Sequence, residues 1–122
     1  MKLNLTVEEA VALHSIASAA VEMESFEDFH PQLRQAEARL AGAIQRIGGQ
    51  KIGEGWQLPK GGTRYRVMSV ELRQEEAIPL VRMADLLLSS DREYNMRKVL
   101  AQATPKLVSA LHRAGVEALI CQ

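Results

Sequence analysis

The chain has 122 residues, 47% hydrophobic, 25% charged and only 4% aromatic, with 15 basic and 15 acidic side chains. That composition belongs to a globular chain long enough to bury a core without metals or disulfides, and it excludes an intrinsically disordered one. Zero formal charge argues against a surface made throughout for nucleic acid, and the single cysteine, Cys121, has no partner for an intramolecular bridge.

Met1–Thr6 leads at once to Glu8 and Glu9, with no apolar stretch of signal-peptide type, and no run approaches the ~18 apolar residues of a membrane span. A soluble, cytoplasmic protein is the expectation. With so few aromatics the core must be built from Leu, Ile, Val, Ala and Met, which favours helices.

Lys2–Leu5 reads as a short strand. Thr6 followed by Glu9 is a capping box, and the helix it opens is expected to run to about Met23 with a broad apolar face through Val7, Ala10, Leu13, Ala17 and Val21. The acidic stretch Glu22–Asp28 is a turn. Pro31 suits the first position of a second helix, whose apolar residues Phe29, Leu33, Ala36, Leu40, Ala43 and Ile47 have the spacing of an antiparallel partner. Gly48 and Gly49 stop it.

Residues 49–62 contain five glycines and the one tryptophan. They are expected to form a β-hairpin arm, outgoing over Ile52–Leu58, turning at Pro59–Gly62 and returning through Thr63–Leu72. Arg64–Leu72 has the β-branched and aromatic character of a strand, with Met68, Val70 and Leu72 on one face. A third helix is expected from about Glu75 to Leu88 and a fourth from Arg92 to Ala114, stopped by Gly115. Pro79 falls early in the third, and Pro105 is expected to kink the fourth or restart it with Thr104 as cap. Val116–Cys121 reads as a closing strand in preference to a continued helix.

Shifted by 67 positions, residues 5–48 align without a gap on 72–115 with 13 identities, among them Glu9/Glu76, Leu13/Leu80, Leu33/Leu100, Leu40/Leu107 and Gly48/Gly115. An internal duplication is therefore expected, with two helical hairpins about a pseudo-twofold axis, a small antiparallel sheet and an unrepeated arm over 49–71. The fold class is α+β, mostly α, in a single domain covering 1–122.

The insert also carries the positive charge: residues 49–73 hold five Lys or Arg against two Asp or Glu, whereas residues 1–48 hold four against seven. Lys51, Lys60, Arg64 and Arg66 are interleaved with Trp56 and Tyr65, a combination able to neutralise phosphate and stack on bases. The competing reading packs the aromatics onto the helices and leaves the cations solvated.

Other groups are weaker candidates. Gly53-Glu54-Gly55 lacks the third glycine and the helix start of a dinucleotide loop. Glu22, Glu24, Glu27, Asp28 and His30 match no metal-ligand spacing, so neither metal nor cofactor is expected. His14 and His112 read as surface or boundary histidines, and Cys121, Ser69 and Ser109 lack the setting of a nucleophile.

With no catalytic constellation in the sequence, the first expectation is a non-enzymatic protein-interaction module of regulatory, inhibitory or assembly type. It is expected to form a homodimer and to contact partners through the arm or an exposed helical groove. Nucleic-acid binding by the basic arm 51–66 is the alternative, and a ligand receptor or enzyme with a site between the repeats is the third.

Overall fold

The structure is a computed structural model that describes residues 1–53, 55–61, 65–90 and 96–115. In chain order the elements are β1 (Lys2–Thr6), α1 (Val7–Val21), a 3-10 turn (Glu24–Phe29), α2 (His30–Arg46), β2 (Gln50–Ile52), β3 (Gly55–Gln57), β4 (Val67–Glu71), α3 (Gln74–Leu88) and α4 (Arg97–Arg113). The protein is thus mostly helical, with two small antiparallel sheets of two strands each.

Local chemistry accounts for the helix limits. Thr6 Oγ1 accepts from the Glu9 N–H at 3.1 Å while Glu9 Oε1 accepts from the Thr6 N–H at 2.8 Å, completing the capping box of α1. Pro31 stands in the first turn of α2, where its missing N–H leaves nothing unpaired. That helix ends with the Gly48 N–H bonded to the Gln45 carbonyl and the Gly49 N–H bonded to the Ile44 carbonyl. Gly48 takes φ 92°, so this is a Schellman cap with glycine in the left-handed position.

The fourth helix departs from expectation. Described from Arg97, it passes through Pro105 to Arg113 without restarting. Thr104 caps nothing; its hydroxyl donates to the Leu100 carbonyl at 2.7 Å, one turn back, as a helix-interior threonine does. Residues 91–95, and the strand expected over 116–121, lie outside the described residues.

The arm is also built differently. Gly53, at φ 60°, turns the chain much earlier than the expected turn at Pro59–Gly62, so the hairpin is only β2 with β3, pairing Lys51 with Trp56. The expected return strand contributes β4, which pairs with β1 instead of with the arm. Leu3 stands opposite Val70 and Leu5 opposite Met68. Met1 and Leu72 exchange two backbone hydrogen bonds of 2.8 and 2.9 Å that extend this ladder. β1 thereby selects a partner 67 positions away over the nearer arm, because Leu3, Leu5, Val70 and Leu72 must all turn to the same apolar face.

Beneath that sheet, buried residues from all four helices and both strands form one cluster. α1 is its centre and packs on α2, α3 and α4. Ala10, Ala12, Ala17 and Ala20 let the neighbours approach, and Leu13 and Ile16 fill the spaces between them. Its wide apolar stripe is therefore spent inside the chain. Glu9 and Glu76 are buried with it, 2% and 0% exposed. Each carboxylate meets a cation from the other half of the chain: Lys106 Nζ lies 2.6 Å from Glu9, and Arg39 Nε lies 3.0 Å from Glu76.

Candidate functional site

Ser15 and Ser18 on α1 and Glu22 at its C-cap recur at three- and four-residue spacing and form a polar stripe along the second half of the helix. α2 runs alongside and turns Arg34 and Glu37 toward the same space, and β2 adds Lys51 at its edge. Together they line a cleft of about 470 Å³. The Ser18 hydroxyl donates to Glu37 Oε2 across it.

The hairpin is fastened beside this cleft by its tryptophan. Trp56, opposite Lys51 in the β2–β3 register, donates its indole N–H to His14 Nδ1 at 3.3 Å. The two rings meet edge to face, with centroids 5.2 Å apart and planes at 84°. An acceptor Nδ1 places the proton of the neutral imidazole on Nε2. His14 is 2% exposed, which corrects the surface or boundary reading. Its burial pushes the imidazole below the ordinary value of 6.5; the Glu37 carboxylate opposes that shift and the Lys51 ammonium reinforces it.

Of the six residues singled out from the sequence, Lys51 and Trp56 come together on this hairpin. Lys60 follows β3, and Arg64 lies outside the described residues. Tyr65 is 67% exposed; Arg66 precedes β4, with its side chain exposed and its carbonyl accepting from the Val7 N–H at 2.9 Å. Tyr65 and Arg66 lead into the β1–β4 sheet, whereas Lys51 and Trp56 lie in the β2–β3 pair.

His14, Ser15, Ser18, Arg34 and Glu37 are the residues that sequence reasoning passed over. The signal was the polar stripe on α1, whose 3.6-residue period is legible once that helix is taken as buried on its other sides.

Chemically the cleft offers hydroxyls, two carboxylates and two cations. Ser18 donates to Glu37 and His14 Nδ1 accepts from Trp56, so these bonds do not pair the serine with the histidine. Among the described residues no group of three or more His, Cys, Asp or Glu is placed to hold a metal ion. His30, beside the acidic turn, is 3.1 Å by its Nε2 from the Met23 carbonyl oxygen. No helix is long and apolar enough to cross a membrane among the described residues.

Comparison with protein-family models finds no match to this chain, and comparisons with curated proteins and with solved structures find none either.

Proposed function

We propose that this chain is a non-enzymatic protein-interaction module that self-associates as a homodimer, with the unrepeated segment 49–71 as its contact element. One observation carries the reading: of the four exposed large hydrophobic residues among those described, Ile52, Tyr65 and Val67 lie in that segment. They are 58%, 67% and 60% exposed, and the fourth, Leu86, is on α3. Apolar side chains held in water on one unrepeated segment, flanked by Lys51 and Arg66, suit a docking surface with a polar rim. The acidic turn with Glu24, Glu27 and Asp28 has the opposite charge and suits the facing surface of a second copy.

The scaffold in this reading is a single domain made by duplication of one helical hairpin, residues 5–48 and 72–115. Three coincidences at an offset of 67 support it. The β1–β4 register pairs Leu3 with Val70, themselves 67 apart. Glu9 and Glu76 are 67 apart, and so are their partners Arg39 and Lys106. Two grooves flank the sheet, one lined by Asn4, Pro105, Lys106, Ser109 and Arg113, the other by Glu71, Ala38, Arg39, Gly42 and Arg46 in equivalent positions.

Sedimentation velocity over a concentration series tests the dimer. The wild-type chain is expected to sediment as a dimer, and the variant Ile52→Glu/Val67→Glu as a folded monomer. A wild-type chain that stays monomeric at every concentration removes self-association from the reading.

A second reading, nucleic-acid binding, rests on the excess of basic residues over 49–73, with Lys51 and Arg66 exposed. Anisotropy titration with DNA and RNA at two salt concentrations decides it. Affinity that falls steeply with salt, and more gently in Lys51→Ala/Arg66→Ala, is the expected signature of phosphate contact.

A further inference from the structure

We infer that the cleft between α1, α2 and the β2–β3 hairpin is a binding site for a small zwitterion carrying a carboxylate and an ammonium group, of the free amino acid or short peptide kind. This site meets the exposed segment proposed above as the protein contact only at Lys51, which lines the cleft and flanks Ile52.

Its volume of about 470 Å³ falls within the ~300–1,000 Å³ usual for small-molecule sites. Its charges balance, Glu22 and Glu37 against Arg34 and Lys51, yet no two of the four form an ion pair. Arg34 and Glu37 are three apart on α2, the spacing at which opposite charges on a helix ordinarily meet. They do not meet here: Arg34 is exposed, and Glu37 takes the Ser18 hydroxyl from α1. Arg34 and Lys51 are left without a hydrogen bond or ion pair among the described residues.

Opposite charges that share one cleft without neutralising each other leave a role for counter-charges from a ligand. A dicarboxylate would satisfy the cations and be repelled by Glu37 and Glu22; a diamine would face the reverse penalty. A zwitterion satisfies both, its carboxylate on Arg34 and Lys51 with the Ser15 hydroxyl in reach, its ammonium on Glu37. Trp56 is a positioning residue in this arrangement: its bond to His14 on α1 fixes the hairpin strand opposite Lys51.

Saturation-transfer NMR on the full chain tests the site, with the twenty common amino acids and glycylglycine as zwitterion probes, and succinate and putrescine as single-sign controls. At least one zwitterion is expected to bind, with affinity lowered at least tenfold by Lys51→Ala and by Glu37→Gln and unchanged by Lys98→Ala on the far helix α4. Free amino acids binding while glycylglycine does not would assign the small-molecule source, and the converse the peptide source. Lys51 is exposed, so the Lys51→Ala variant keeps the test independent of folding. No transfer to any zwitterion, equal transfer to succinate or putrescine, or binding indifferent to both cleft variants would each overturn the inference. A monomeric chain that still binds a zwitterion would leave this site standing while removing the proposed dimer.

Discussion

Lys106 Nζ sits 2.6 Å from Oε1 of Glu9, a residue 97 positions earlier in the chain, and that same oxygen accepts the Thr6 N–H at 2.8 Å. The carboxylate is 2% exposed and the lysine 41%, so one buried anion both caps α1 and ties it to α4. Glu76 caps α3 and ties it to α2 in the same way, its Oε1 accepting the Arg73 N–H at 2.9 Å and its Oε2 the Arg39 Nε–H at 3.2 Å.

Removing one cation strands a buried carboxylate, which costs more than the pair contributes. Lys106→Met is expected to lower stability by about 1–3 kcal/mol, the lower end reflecting the lysine's partial exposure. Glu9→Gln/Lys106→Met should lose less than the sum of the single changes. Urea unfolding of the four-member cycle measures the coupling, and strict additivity would show that the pair carries none.

The burial of His14 makes stability depend on pH. The folded imidazole lies below its ordinary 6.5, so the folded state binds fewer protons than the unfolded one as pH falls through that value. The stabilisation is therefore whole above about pH 6.5 and is lost as pH drops toward the folded value. Protonation also removes the Nδ1 lone pair that holds the indole N–H. Emission from Trp56, the single tryptophan, is expected to change over the same window and to stay flat there in His14→Phe.

Two glycines of similar sequence setting should respond with opposite signs. A Cβ on Gly49 would stand 2.5 Å from Ile44 Cγ2 and 2.9 Å from the Ile44 carbonyl oxygen, whereas one on Gly42 meets nothing within 4 Å. Gly49→Ala is expected to cost about 1–3 kcal/mol by forcing the end of α2 open. Gly42→Ala, inside the helix, should gain about 0.5–1 kcal/mol. Thermal melts of both variants give the comparison.

Leu13 on α1 and Leu80 on α3 are both fully buried, at positions 67 apart. Each Leu→Ala change is expected to cost about 2–5 kcal/mol. Denaturant unfolding should show a single transition in both variants, because the core cluster is continuous across the two halves.

What could be read from the sequence was local. The capping box at Thr6, the place of Pro31, the glycine stop after α2 and the inward set Met68, Val70 and Leu72 depend on residues within a turn of one another. The partner of β4 did not: two short strands were available to it, and nothing near in sequence distinguished β1 from the arm. Thr104 before Pro105 looks like a cap until the tertiary contacts of Leu100, Ala103 and Leu107 hold the helix through it. The α1–α2 cleft joins three separated segments, and its sign was hidden because Ser15, Ser18 and Arg34 are unremarkable residue types singly.

Synthesis meets the pairing of Leu3 with Val70 as a delay. At about 5–20 residues per second, roughly 3–13 s pass between the appearance of the two residues at the ribosome, and longer still before Lys106 can reach Glu9. Over that interval the long contacts open to the nascent chain are those of α1 with α2 and, once Trp56 has emerged, its contact with His14, while β1 has no strand to pair with and the Glu9 carboxylate has only its own cap. The order of translation therefore offers the α1–α2 hairpin as the first structure to form, and puts closure of the sheet, and after it the Glu9–Lys106 pair, later.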